Sequence, residues 1–172
     1  MDRTTGTTLF AFAASFLFVG CPSPSAPWAA ARLELSLREK PQDPWLIGEA
    51  EHSLQEDAGS QVIAVIGRIE AGDADPFEKN RSAFLLTDVF EDTHGADSNH
   101  DPSTCPFCKR RAENAAKAYV TMVDSQQQPY PVSAADLLAL RKGDRVVVEG
   151  QATWDEELEM IRINGSKIFI ER

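Results

Sequence analysis

Four side chains stand close enough in sequence to share chemistry: His94, His100, Cys105 and Cys108. They fall in one window of 15 residues, which holds two of the chain's three histidines and two of its three cysteines. Zinc takes thiolate and imidazole ligands in a tetrahedron, and two Cys with two His would fill four positions. The Cys-x-x-Cys spacing presents both sulfurs from one tight turn, stiffened by Pro106. Copper would accept the same set, with zinc the better expectation. A site closed by four protein ligands would be structural, pinning a long loop that has little core of its own. Two other readings of the cysteines stay open. A Cys105–Cys108 disulfide would staple the loop, and a reactive dithiol would use Cys105 as nucleophile and Cys108 as resolving thiol.

Asp97, Asn99 and Asp101 alternate as calcium ligands can, but the twelfth position of that pattern holds Cys108 instead of the bidentate Glu. Lys109, Arg110 and Arg111 make a short basic patch that reads as a solvated helix face, because no aromatic run lies beside it. His52, among Glu49, Glu51, Glu56 and Asp57, reads as a surface residue. No nucleophile–base–acid triad or phosphate loop is present in the sequence pattern, so a non-enzymatic role is the leading expectation.

These residues need a scaffold. The apolar runs at residues 62–69, 83–90 and 118–123 are rich in β-branched side chains and read as strands. Gly67 inside the first predicts a bend at a bulge. Ser133 can N-cap a short helix carrying Leu137, Leu138 and Leu140, and residues 142–144 turn it into a strand over 145–152. Residues 158–163 and 167–171 flank Asn164-Gly165, which favours a tight hairpin turn. One bent strand through Gly165 is the other possibility. The order is three strands, a helix, then two strands. Residues 91–117 form a long insertion between the second and third strands, a length that is usually functional or disordered.

The first 20 residues do not belong to that domain. One basic residue, Arg3, precedes an apolar stretch at residues 9–19, too short for a permanent bilayer helix and suited to a signal peptide. Residues 21–44 hold Pro22, Pro24, Pro27, Pro41 and Pro44 and read as an extended tether before a domain at 45–172. Leu33, Leu35 and Leu37 alternate and could make a short strand there. The mature chain keeps the net charge of −10, because removing residues 1–20 removes Asp2 and Arg3 together. That charge repels phosphate backbones, so nucleic acid is not an expected partner.

Four resemblances add to this reading. Phe18-Val19-Gly20-Cys21 resembles the lipobox of bacterial lipoproteins, which implies lipidation at Cys21, attachment to a membrane and a place in the cell envelope. Residues 132–138 followed by 142–150 look like the helix and fourth strand of OB domains in small exported bacterial proteins. This implies a mainly β fold, a five-stranded OB-type barrel with one short helix. The stretch 100–116 resembles planctomycete-type exported proteins carrying the Cys-Pro-Phe-Cys motif, from which no activity follows. Cys105-Pro106-Phe107-Cys108 also looks like the dithiol of glutaredoxins, though the surrounding order of elements does not. Periplasmic haem chaperones share the barrel but use a His after the last strand, which this chain lacks. Taken together, the sequence predicts an exported, lipid-anchored, non-enzymatic binding module with a zinc-type site. A thiol–disulfide oxidoreductase, or an envelope interaction protein with a structural disulfide, is the alternative. Its expected partners are a membrane, an envelope protein or a small ligand.

Overall fold

The computed structural model describes residues 28–57, 59–89, 105–106, 110 and 114–172. Helix α1 (Ala29–Leu35) comes first, then strand β1 (Trp45–Leu46) and helix α2 (Ile47–Glu56). Strands β2 (Gln61–Ile69), β3 (Ala83–Thr87) and β4 (Lys117–Met122) follow. Helix α3 (Ala134–Leu138), β5 (Arg145–Asp155) and β6 (Met160–Glu171) complete the described elements. The sheet has six strands in the order β1-β2-β3-β4-β6-β5, and β2 also pairs with β5 from Gln61–Ala152 to Arg68–Arg145.

The expected five-stranded OB-type barrel with one helix is therefore corrected. The molecule is a mixed α/β fold with three helices among the described residues and a six-stranded sheet. The sixth strand, β1, joins β2 in parallel at Trp45–Val65 and Leu46–Ile66. Two of the three helices precede β2, in a part of the chain whose helical period the strand-centred reading missed. In α2, Ile47, Ala50 and Leu54 recur at helical spacing and are buried, while acids fill the other face. Its start is held from outside the helix. Asp88, just past β3, accepts from the N–H groups of Ile47 and Gly48 at 3.1 Å each, and Glu49 accepts from Leu46 N–H at 3.0 Å. Those bonds satisfy amides that have no partner inside the helix.

The proline-rich stretch also behaves differently from an extended tether over its described part. Helix α1 places Leu35 in the core, and Arg32 reaches α3. The Arg32 guanidinium donates to the carbonyls of Leu137 (2.7 Å) and Asp136 (2.9 Å), two acceptors in the last turn of α3. Leu37 N–H donates to Ile168 O at 2.7 Å, and Trp28 meets Tyr130 edge-on with ring centroids 6.1 Å apart. No strand forms over residues 33–37, where a single bridge links Ser36 to Ile168.

The later elements sit close to the sequence expectation. Ser133 Oγ accepts from Ala135 N–H at 3.2 Å and caps α3. The expected hairpin at Asn164-Gly165 is replaced by one bent strand: β6 runs through it, and the register against β5 shifts between Glu149 and Gly150. The β5–β6 turn lies instead at residues 156–159, where Glu159 adopts a left-handed φ of 49°. Gly67 causes no register shift between β2 and β5. It is there for close approach, since a Cβ on it would lie 3.0–3.1 Å from Ile47, Leu86 and Thr87. The core is built from Phe84, Leu86, Val120, Met122, Val146, Val148, Ile161, Ile163 and Ile168, with Ile47, Leu54 and Leu137 closing it from the helices.

A polar cleft across three strands

Alternation along a strand sends every second residue to the same side. In β6, Ile161 and Ile163 go to the core and Arg162 and Asn164 point away from it. In β5, Ala152 is buried while Gln151 and Thr153 are exposed. In β4, Ala118, Val120 and Met122 are buried, and Tyr119 and Thr121 occupy the alternate positions. The pairing registers align these residues. Tyr119, Arg162 and Thr153 form one row, and Thr121, Asn164 and Gln151 the next. Strands lie about 4.8 Å apart, so each row of three spans about 10 Å. Together with Ser60 and Arg81 these six side chains line a cleft of about 470 Å³. Val62, 83% exposed and paired with Gln151, extends the second row with an apolar side chain.

Arg162 is held in place by its neighbours. Arg162 Nη1 lies 3.1 Å from Asp155 Oδ2, and Asp155 Oδ1 accepts from the N–H groups of Glu157 (3.1 Å) and Leu158 (3.0 Å). The β5–β6 turn thus fixes Asp155, and Asp155 fixes Arg162. The guanidinium carbon sits 6.0 Å from the Tyr119 ring centroid, within the range of a cation–π contact. Tyr119 Oη donates to Glu78 Oε1 at 2.5 Å. Arg81 leads into β3, and its neighbour Ser82 anchors that entry. Ser82 is fully buried, donates from Oγ to Met122 O at 2.6 Å and accepts from Tyr130 N–H at 2.9 Å. A buried hydroxyl bonded on both sides carries no desolvation penalty for an unmet group.

Burial raises the Tyr119 hydroxyl above the ordinary 10.0, and the Glu78 hydrogen bond and charge add to it, while Arg81 and Thr121 oppose. Tyr130 is raised in the same direction, first by burial and then by the charges of Glu34 and Asp124. The chain has no other tyrosine. A raised value means that the folded chain holds protons that the unfolded chain releases near pH 10. Stability is therefore whole below about pH 10 and is lost as pH rises through the folded values. An ultraviolet titration of the native chain should show less than half of the tyrosine ionised at pH 10.0. Half or more ionised at that pH would contradict the environment described for both rings.

Cys105, the one expected metal ligand that the structure describes, does not line this cleft. His94, His100 and Cys108 lie outside the described residues, as does Cys21. Cys105 is half-buried, immediately before the helical Pro106. Arg110 is also helical, Asn114 N–H donates to Arg110 O at 3.1 Å, and β4 starts at Lys117. Among the described residues no group of three or more His, Cys, Asp or Glu is placed to hold a metal ion, and no disulfide occurs. The zinc or copper expectation, and the metal-binding module built on it, is corrected on that finding, while the partner cysteine Cys108 lies outside the described residues.

Sequence reading missed the cleft because its residues are scattered from Ser60 to Asn164 and share no motif. A signal was nevertheless present. Tyr119/Thr121, Gln151/Thr153 and Arg162/Asn164 each alternate with apolar residues, although Thr153 and Asn164 fall just beyond the expected strands. Only the register, which brings them side by side, turns three polar alternations into one surface.

No family model and no curated protein matches the chain, which withdraws the lipoprotein and exported-protein resemblances. Among solved structures the chain is similar to an aspartyl tRNA synthetase from Entamoeba histolytica, with a TM-score of 0.41 and 9% identity. The similarity covers 80% of this chain and 24% of that one, so this chain spans about a quarter of that protein's length. Likeness at this level assigns neither a fold family nor an activity.

Proposed function

We propose that the chain is a binding module for a small polar ligand bearing one negative charge, received in the cleft of β4, β5 and β6. The observation that carries this reading is the cleft lining itself: two guanidiniums and five neutral polar side chains around one tyrosine, in a protein of net charge −10. Outward strand positions need no such concentration for solubility. Guanidiniums supply bidentate donors for an anion, and amide and hydroxyl groups on neighbouring strands fix its orientation.

Local charge sets the limit of one negative charge. Arg81 and Arg162 bring two positive charges, while Asp155 on Arg162 and Glu78 on Tyr119 bring two negative ones. The neighbourhood is close to neutral, within an acidic protein. A monoanion gains from the guanidiniums, and a dianion or a phosphate backbone meets growing repulsion. Nucleic acid is therefore no part of this reading.

Export across a membrane belongs to the same proposal. Its support is the apolar stretch at residues 9–19 behind Arg3.

The test is calorimetric titration of the full chain with a panel of small monocarboxylates and their neutral amides. Binding of at least one acid is expected, with its amide weaker. Arg162→Gln should weaken it by roughly tenfold or more, the scale of one charge-assisted hydrogen bond. Equal affinity for acids and amides would refute the reading.

A further inference from the structure

The donor and acceptor pattern of the cleft specifies the ligand more closely. This step rests on the proposed binding of a monoanion. Arg81 and Arg162 can only donate hydrogen bonds. The Tyr119 hydroxyl has already committed its hydrogen to Glu78 Oε1 at 2.5 Å. Its oxygen therefore remains only as an acceptor, which the Thr121 side chain also hydrogen-bonds, and a ligand group that meets it must be a donor. Arg162 stands over the ring of that same tyrosine, so the place for a ligand anion and the place for a ligand donor lie within about one ring of each other. Arg81 lines the same cleft as Arg162 and brings the second cation to it.

The second row behaves differently. Gln151 and Asn164 carry both donors and acceptors, and Thr121 beside them adds a hydroxyl. Groups that can both give and take match ligand hydroxyls, which do the same. Val62 at the end of this row offers a small apolar wall for carbon atoms. The complement of the whole surface is a compact molecule with an acceptor-only anionic end, a donor close to it, and further hydroxyls some 5 Å away, one strand spacing.

We infer that the cleft binds an acidic saccharide of the uronate type: one carboxylate between Arg81 and Arg162, an adjacent hydroxyl donating to Tyr119 Oη, and further hydroxyls on Gln151 and Asn164. A sugar phosphate presents the same hydroxyls with a more highly charged anion. The near-neutral balance of Arg81, Arg162, Asp155 and Glu78 favours the single charge of the carboxylate.

The experiment titrates the full chain with D-glucuronate, D-glucose, cyclohexanecarboxylate and glucose 6-phosphate, and repeats the series on Tyr119→Phe. Glucuronate is expected to bind at least tenfold tighter than each of the other three. In Tyr119→Phe, its margin over cyclohexanecarboxylate should shrink several-fold while the carboxylate itself still binds. If cyclohexanecarboxylate binds as well as glucuronate, the saccharide inference falls and the monoanion reading stands. Tighter binding of glucose 6-phosphate overturns the inference too. Glucose equal to glucuronate, or no binding by any of the four, overturns both.

Discussion

Replacing Gly150 with alanine costs at least about 3 kcal/mol of folding stability, the upper part of the range for overpacked sites. At the register shift between β5 and β6 the two backbones nearly touch. A Cβ on Gly150 would stand 2.2 Å from Asn164 O, 2.8 Å from Asn164 C and 2.8 Å from Gly165 Cα. All three are backbone atoms, so no side chain can swing away to make room. Relief requires parting β5 from β6, the longest strand pair in the fold. For a chain of this size the loss corresponds to a fall in Tm of about 6–12 °C. Gly165→Ala serves as the control. Its Cβ would meet Met122 Sδ at 2.8 Å and Val148 Cγ1 at 3.0 Å, side-chain atoms instead of backbone, so a smaller loss of about 1–2 kcal/mol is expected. Chemical denaturation of both variants checks the order. A Gly150→Ala chain as stable as the Gly165→Ala chain would mean that the bend is not where the structure puts it.

Phe84→Ala should cost about 3–5 kcal/mol, the usual loss for a large aromatic removed from a core. Phe84 is fully buried on β3, pairs with Val120 of β4, and has the ring of Phe77 at 6.4 Å. Its neighbours are strand residues locked by hydrogen bonds on both sides, so the cavity cannot collapse easily. The midpoint of urea unfolding should fall at an unchanged slope, as for a pure change in stability. A loss below about 1 kcal/mol would show that Phe84 is not at the centre of the core.

Much of the local structure could be read from the sequence, and the reasons differ by element. Strands β2 to β6 announce themselves through β-branched runs, and α3 through Ser133 and the leucines behind it. These signals are local: a chain segment of that composition buries one face whatever its neighbours do. Helix α2 was hidden because Glu49, Glu51 and Glu56 dominate its composition, while only Ile47, Ala50 and Leu54 mark its buried stripe. Helix α1 was hidden by the prolines around it, and its position depends on Arg32 reaching carbonyls more than 100 residues away. Asn164-Gly165 carries a turn signature, yet Gly165 serves the packing of Met122 and Val148 at a bend instead. Here tertiary context outweighed a local preference. The cleft was the least legible part. Its residues are ordinary polar positions on three strands, and only strand register makes them neighbours. The cysteine and histidine window drew attention because it was local, which is the kind of pattern a linear reading favours.

Ligand binding at the proposed face of Tyr119, Thr121, Gln151, Thr153, Arg162 and Asn164 can be followed residue by residue. Backbone amide spectra of the isotopically labelled full chain, recorded during titration with D-glucuronate, test it most directly. Saturable shifts are expected at residues 119–121, 151–153 and 162–164, together with Arg81, as is their loss in Arg162→Gln. Shifts that are absent at saturating ligand, or that centre on another surface and survive Arg162→Gln, would contradict it.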